Sequence, residues 1–273
     1  MQIFSLHNHS NLSDGRDSVM AIVLHAKSIG LDAIGISDHF YFIQNQTSII
    51  QKQIGVSEDF YSKDTYATHK RIRDYVNSIR RVAESVDVKV FVGAEWSVPY
   101  NPSNFHFSVM KQIKKDFGFD YIIGSIHAVD DVYVGTNNEI TKSYDFHRKY
   151  WQTFSLLASD VFDIAGHFDV INISGHNRQR EFEPEIDNAL NLIKKAGKIV
   201  EINTAYCVEE SYWFIDKVAR LGIPVIISSD AHKKEDICHN FNKAEKELHN
   251  RFDNICLITK VETLDRVFTG KRR

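Results

Sequence analysis

Short apolar runs of strand length recur along the chain and alternate with longer stretches whose apolar residues follow the spacing of a helix. The runs are rich in β-branched and aromatic residues, which favour strands. They occupy residues 3–6, 33–36, 88–92, 121–123, 161–164, 198–202 and 224–227. The helical patterns occupy residues 17–29, 66–84, 185–196 and 211–221. This alternation predicts βαβ units and a parallel sheet, and seven strands are close to the eight of a (β/α) barrel.

The interval from 41 to 87 is the least regular part of this pattern. Its first part, 42–56, predicts an excursion over the mouth of the barrel, and the helix at 66–84 follows it. No stretch of linker composition and no internal repeat divides the chain. We therefore predict a single domain, 1–273.

Charge and composition restrict the classes of function. A formal net charge of −3 and a pI near 6.5 argue against binding to long nucleic acids, which relies on clustered positive charge. No apolar run reaches the roughly 18 residues that cross a bilayer, and the first ten residues lack the pattern of a secretory signal. The cysteines, Cys207, Cys238 and Cys256, are too few for a disulfide framework or a thiolate zinc site. We expect a cytoplasmic protein without a membrane partner.

Histidine and acidic residues follow the ends of six of the seven predicted strands. In a parallel barrel the carboxyl ends of the strands meet on one face, so side chains far apart in the sequence converge there. The residues at these strand ends are His7, His9, Asp38, His39, Glu95, His127, His167, Asp230 and His232. A single histidine at a strand end is more often structural, but the joint pattern predicts a shared site.

The residue types at these strand ends point to bound metal. Imidazole and carboxylate groups suit zinc, manganese or iron, and thiolates are absent from the set. His7 and His9 suit one ion, because alternate residues of an extended segment point the same way. A catalytic ion uses about three protein ligands, so the set predicts two or three divalent ions, which can together promote phosphoester cleavage. His106 and His176, in loops near the predicted mouth, are reserve candidates.

The motifs that carry these residues resemble those of the PHP (polymerase and histidinol phosphatase) superfamily. Four are similar to its first, second, third and last motifs, and three are similar to segments of the histidinol-phosphate phosphatases in particular. They are LHNHS at 6–10, ISDHF at 36–40, GAEW at 93–96, SSDAH at 228–232, IGSIHAVD at 123–130, GHFDVI at 166–171 and EINTAY at 201–206. The resemblance implies a distorted (β/α)7 TIM-like barrel that holds two or three divalent ions and hydrolyses phosphoesters.

The resemblance also implies a set of metal ligands. They are His7, His9, Glu95 and Asp230 for one ion, Asp14, His39 and His232 for a second, and His127 and His167 with Glu95 as a bridge for a third. Asp14 stands where many relatives use histidine, and it could equally cap or turn the chain before the next helix. Asp38 is expected to hydrogen-bond a metal-binding histidine rather than to bind an ion.

The leading hypothesis is a metal-dependent phosphomonoesterase, with L-histidinol phosphate as the substrate and a metal-held hydroxide as the nucleophile. No side chain is assigned as general acid. Arg178, and after it Arg16, are the candidates for a forked contact with the phosphate. The segment after EINT reads AYCVEE, where histidinol phosphatases often carry a glycine and a basic residue, and this departure bears on the alcohol half of the substrate.

Three other functions are compatible with the sequence. The first is a phosphoesterase of the same superfamily that acts on nucleotides or short oligonucleotides. The second is a barrel that has lost its chemistry and serves as a scaffold, against which the near-complete ligand set argues. The third is a metal-dependent hydrolase of C–N bonds, since related barrels use similar ligands. Metal content and a panel of substrates would discriminate among them.

Overall fold

A curled sheet of short parallel strands organises the part of the chain that the computed structural model describes, residues 2–41, 65–98, 100, 104–130, 132–174, 178–207 and 209–268. The strands are β1 Phe4–Ser5, β2 Ala33–Ile36, β3 His39–Tyr41, β4 Lys89–Ser97, β5 Tyr121–Ser125, β6 Ala128–Val129, β7 Val132–Tyr133, β8 Ile164–Ala165, β9 Ile199–Asn203, β10 Pro224–Ser228 and β11 Cys256–Leu257. Their order in the sheet is β1-β2-β4-β5-β8-β9-β10-β11, and β6 and β7 form a separate antiparallel hairpin.

The sheet closes into a distorted barrel. β2 pairs with the first half of β4 and β3 with its second half, so the two short strands act as one strand interrupted between them. The two ends of the barrel sheet meet at a single bridge, where His9 N donates to Ala231 O at 2.8 Å and Ala231 N donates to His7 O at 3.2 Å. Beyond this bridge β11 extends the sheet along the outer edge of β10. The seven predicted strands are those of the barrel, and the predicted (β/α)7 TIM-like class is confirmed.

Helices cover the outside of this barrel. They are α1 Val19–Ser28, α2 Thr65–Glu84, α3 Asn104–Phe117, α4 Tyr144–Phe154, α5 Glu183–Lys195, α6 Ser211–Leu221, α7 Phe241–Arg251 and α8 Val261–Phe268. The four predicted helices are α1, α2, α5 and α6, within two residues at each end. α1 begins because the Ser18 side chain accepts a hydrogen bond from Ala21 N. α6 ends at Gly222, whose left-handed φ of 65° suits glycine.

The inside of the barrel is divided into two layers. At the amino ends of the strands lies an apolar plug, formed by Phe4, Leu6, Ala33, Phe91, Tyr121, Ile123, Ile164, Ile199, Ile226, Ile258 and Leu264. Alternate residues of a strand point to the same side, so the strands that fill the plug also supply the polar layer at their carboxyl ends. β4, for example, contributes Phe91 to the plug and Glu95 to the polar layer. Gly93 between them must lack a side chain, because a Cβ there would lie 2.3 Å from the Tyr121 ring.

One predicted segment lies outside the described residues, and one predicted strand is shifted. The excursion at 42–56 lies outside the described residues. The run at 161–164 is shifted, since strand pairing begins only at Ile164. Among the described residues, no helix combines the length and the apolar character needed to cross a membrane.

Candidate metal centre

The polar layer brings together all nine residues that the sequence predicts as metal ligands. We call this group the cage: His7, His9, Asp14, His39, Glu95, His127, His167, Asp230 and His232. Its members come from the carboxyl ends of β1, β4, β5, β8 and β10 or the residues just after them, from the first residue of β3 and from the loop before α1. Asp14 and His232 form the open side, with 14% and 38% of their side chains exposed, whereas Glu95 is fully buried.

Glu95 stands at the centre of the cage, and its two oxygens face different histidines. Glu95 Oε1 lies 2.7 Å from His167 Nε2 and 3.2 Å from His127 Nε2. Glu95 Oε2 lies 2.8 Å from His39 Nδ1 and 3.3 Å from His7 Nε2. A carboxylate with histidines on both oxygens has the geometry to bridge two cations.

Asp230 faces the two histidines at the end of β1. Its Oδ1 lies 2.9 Å from His9 Nε2 and 3.4 Å from His7 Nε2. His7 and His9 reach the same side of the chain because Asn8 between them turns away, with its Nδ2 donating to Gly35 O at 2.9 Å. The two histidines of the HxH motif therefore reach the same site, as the sequence predicted.

Asp14 joins the cage from its open side. Its Oδ2 lies 3.2 Å from His232 Nε2 and 3.4 Å from His39 Nε2. The alternative role as the cap of α1 is wrong, because Ser18 occupies that position and makes the capping hydrogen bond.

The ligand atoms fall into four overlapping groups, within each of which they lie within 4.8 Å of one another. The groups are His9, Asp14, His39 and His232; His7, His9 and Glu95; His7, His167 and Asp230; and His39, Glu95 and His127. Because the groups share members, they cannot all be filled independently. We call the first of these, which contains Asp14 and His232, the outer group. We call the second and third, which share His7 and one of which contains His167, together the inner group.

Asp38 has a different role from the one expected. Its carboxylate accepts hydrogen bonds from Ser10 N, Ser10 Oγ and Ser13 Oγ at 2.6–2.7 Å, rather than from a histidine ring. Burial raises the pKa of Asp38 to about 6, and the serine hydrogen bonds oppose that rise. Asp38 thus fixes the loop that carries Asp14.

Two further side chains, those of Glu201 and Ser97, contact cage histidines without belonging to the cage, and neither was predicted from the sequence. Glu201 Oε1 lies 2.6 Å from His7 Nδ1, and Glu201 Oε2 accepts from His167 N at 2.6 Å. Ser97 Oγ lies within hydrogen-bond distance of His127 Nδ1. The available signal was a single acidic residue inside the apolar run at 198–202, since a charge buried in a parallel sheet must be paired.

The charges of the cage balance one another. Burial favours the neutral form of Glu95 and Asp230, but the surrounding histidines outweigh it and hold both pKa values well below the ordinary range. Burial likewise opposes protonation of His39 and His232, but the neighbouring carboxylates raise their pKa values to about 10 and about 9. His9 differs, because burial and the adjacent histidines lower its pKa to about 4. The raised pKa values of His39 and His232 mean that a cation bound by these side chains would have to displace their protons.

The two candidate arginines lie differently. Arg178 forms a forked ion pair with Glu181, at 2.7 and 3.0 Å, and its guanidinium lies over the Tyr144 ring. Within the described residues it makes no hydrogen bond or ion pair with the cage. Arg16 is exposed, and its backbone N donates to His232 O at 2.8 Å, which places it at the open side.

The reserve histidines cannot be compared with the cage. The prediction of a loop at His106 is wrong, because this residue lies in α3, and its side chain is outside the described residues. His176 lies outside the described residues altogether.

Comparison with known proteins gives matches over most of the chain. The pattern of the PHP domain family matches residues 5–205. A probable histidinol-phosphatase of Deinococcus radiodurans is 26% identical over 201 residues, which are 66% of this chain and 73% of that protein. A probable histidinol-phosphatase of Clostridium acetobutylicum is 28% identical over 155 residues, 51% of this chain and 61% of that protein.

Two solved structures share the fold. The histidinol phosphate phosphatase of Lactococcus lactis, in complex with zinc, L-histidinol and phosphate, superposes with a TM-score of 0.71 at 18% identity, over 92% of this chain and 94% of that one. A putative histidinol phosphatase from Listeria monocytogenes gives a TM-score of 0.67 at 18% identity, over 88% and 99% of the two chains. At this level of identity the likeness concerns the fold.

Proposed function

Because the chain belongs to the PHP domain family, we propose that it is a metal-dependent phosphomonoesterase that converts L-histidinol phosphate into L-histidinol and phosphate. The observation that carries the proposal is the cage, in which nine imidazole and carboxylate side chains converge on Glu95 at the carboxyl ends of the barrel strands. The names of the matched relatives, probable histidinol-phosphatases, support the choice of substrate.

The side chains of the cage fit divalent cations. All the donor atoms are imidazole nitrogens or carboxylate oxygens, the ligands that zinc, manganese and iron accept. His7 Nε2 and Glu95 Oε2 are buried and make no hydrogen bond among the described residues, although they lie 3.3 Å apart. Buried polar atoms without hydrogen bonds are costly, and shared cations would satisfy them. We propose two or three ions, held by the nine cage residues.

The bound ions, Glu95 and the arginines would have different roles in the reaction. When bound, the ions would polarise the phosphate oxygens, lower the pKa of a water molecule and offset developing negative charge. Glu95, whose two oxygens face different histidines, would help to hold the ions together with those histidines. We propose that Arg16, whose backbone N donates to His232 O at the open side, offers its guanidinium to the phosphate, and that Arg178 does so only after release from Glu181.

The most direct test of the activity is metal reconstitution followed by a panel of substrates. Enzyme stripped with a chelator should lose phosphatase activity and regain it with Zn, Mn or Fe. The panel should compare L-histidinol phosphate with nucleoside monophosphates and short DNA. Preference for a nucleotide would keep the phosphoesterase and reject the substrate, whereas absence of any metal-dependent hydrolysis would reject the function.

A second test concerns the cage itself. Changing His9 or Asp230 to Ala should lower turnover by about a thousandfold or more, because each removes a ligand that no neighbour replaces. Circular dichroism would confirm that both variants fold. Near wild-type turnover in both would reject the ligand assignment.

A further inference from the structure

Glu201 is an acidic side chain in the middle of the buried strand β9, with an exposed fraction of 0%. It lies between the two layers of the barrel interior, since Ile199 two residues earlier belongs to the apolar plug. Burial of a carboxylate is costly unless its charge is met by hydrogen bonds and opposite charge. The contacts that meet this requirement explain why the residue is there.

The partners of Glu201 are two members of the cage and one serine. Oε1 lies 2.6 Å from His7 Nδ1, and Ser228 Oγ donates a hydrogen bond to the same oxygen. Oε2 accepts from the backbone N of His167 at 2.6 Å. One carboxylate thus fixes the ring of His7 and the backbone at His167, which lie far apart in the sequence.

The contact with His7 sets which ring nitrogen can bind an ion. A carboxylate only accepts, so Nδ1 of His7 must carry the proton that it donates to Glu201. The other nitrogen, Nε2, faces the cage, 3.3 Å from Glu95 Oε2 and 3.4 Å from Asp230 Oδ1. A proton fixed on Nδ1 leaves the Nε2 lone pair for a metal, and such support from behind tunes ligand orientation and basicity.

The outer group has different support. The loop that carries Asp14 is fixed by hydrogen bonds from Ser10 and Ser13 to Asp38. The hydrogen bonds of Glu201 within the described residues go instead to His7, His167 and Ser228. Two separate carboxylates therefore support the cage, Asp38 through the loop that carries Asp14 and Glu201 through His7 and His167.

We propose that Glu201 is a positioning residue that selectively strengthens metal binding by the inner group. The proposal rests on the proposed function, since it requires that the cage binds ions. Removal of the Glu201 charge should weaken inner-group binding, which depends on His7 and His167, and leave the outer group of His9, Asp14, His39 and His232 nearly unchanged.

Glu201→Gln is the appropriate variant, because it keeps the shape and removes the charge. The amide has a single acceptor oxygen, so it cannot accept from both His7 Nδ1 and His167 N. If its NH₂ group faces Nδ1, the ring proton moves to Nε2 and blocks the metal. The matched control is Asp163→Asn at the amino end of the barrel, where a carboxylate also accepts from a backbone N, that of Ile122 at 2.7 Å.

The experiment is a Co²⁺ titration of metal-free protein followed by calorimetry and visible absorbance. Reference titrations of His7→Ala and His232→Ala identify the steps that belong to the inner and outer groups. Glu201→Gln should weaken the inner step by about 10- to 100-fold and the outer step by less than about threefold. Asp163→Asn should bind like the wild type.

The possible results separate the two proposals. If the wild type binds no Co²⁺, the proposed function fails. If the wild type binds but Glu201→Gln binds equally well, or loses both steps equally, Glu201 has no selective positioning role. Should Glu201→Gln not fold, Ser228→Ala, which removes one hydrogen bond to the carboxylate, must still weaken the inner step more than the outer one, and equal binding would overturn the proposal.

Discussion

The two layers inside the barrel are built largely by the same strands, and most side chains of both are buried, yet their chemistry is opposite. β5 begins with Tyr121 and Ile123 in the apolar plug, and the chain that continues it reaches the cage at His127. The plug removes apolar surface from water, which stabilises the fold. The cage buries acidic groups, which costs free energy unless opposite charges compensate. The plug thus serves stability, and the cage serves function at some expense of stability.

The largest expected effect comes from the centre of the cage. Glu95→Gln keeps the shape of the side chain but removes the charge that faces histidines on both oxygens. We expect turnover to fall by about a thousandfold or more and metal content to fall by more than one equivalent. Kinetics and elemental analysis measure these effects. Full metal content together with normal turnover would refute the bridging role.

A substitution in the plug should lower the stability of the fold but leave turnover nearly unchanged. Leu264→Ala, in α8 beneath the barrel, removes a fully buried side chain from the plug and should lower the free energy of unfolding by about 2–5 kcal/mol. Turnover of the metal-loaded variant should stay within about threefold, since distant sites act independently. Denaturant unfolding and kinetics give both values, and Leu264→Met is the volume-conserving control. A loss of turnover without a loss of stability would mean that the layers are not separate.

Protons should leave the cage when metal enters. In the metal-free protein His39 and His232 have pKa values of about 10 and about 9, so both are protonated at pH 7. A cation must displace these protons, so binding to the outer group should release up to two protons and tighten as pH rises from 7 to 9. Calorimetry in buffers of different ionisation enthalpy counts them. Binding enthalpy that does not depend on the buffer would contradict this prediction.

The same pKa values determine how the metal-free fold responds to alkali. Both histidines titrate above their ordinary value, so their contribution to stability is complete below pH 6.5 and is lost as pH rises through about 9 to 10. Thermal unfolding in chelator between pH 6 and 10 should show this decline. The plug contains no group that titrates in that range, so variants of the plug should show the same pH profile.

The smallest effects should come from the arginines outside both layers. Arg16→Ala and Arg178→Ala should raise KM by up to about tenfold, with little change in kcat, if they contact only the phosphate of the substrate. Glu181→Ala is the informative partner, because it releases Arg178 from its forked ion pair. If KM is unchanged in all three variants, neither arginine contacts the substrate.

The sequence predicted the cage better than it predicted its support. His7, Glu95 and Asp230 could be identified because strand ends converge in a parallel barrel and because the motifs resemble those of a known family. The role of Glu201 was not predicted, because a lone acid in an apolar run indicates that its charge must be paired but not which partners the fold brings to it. Asp38 was assigned to a histidine, but the break between β2 and β3 directs it to the serines of a loop.

The fold shows the same limit. α6 was predicted to the residue, because its apolar spacing and the glycine after it are local signals. α3 was not predicted, since Phe105 and Phe107 near its start also favour strands, and only the packing of Met110 and Ile113 in the core decides for a helix. β11 was not predicted either, because two residues carry no periodicity.

The most direct measurement of the central claim is the position of metal in crystals of the zinc-loaded protein, determined by anomalous scattering at the zinc edge. We expect two or three peaks inside the cage, with Glu95 in contact with at least two of them and Asp230 with at least one. Peaks confined to the protein surface, or a cage that remains without a peak at saturating zinc, would contradict it.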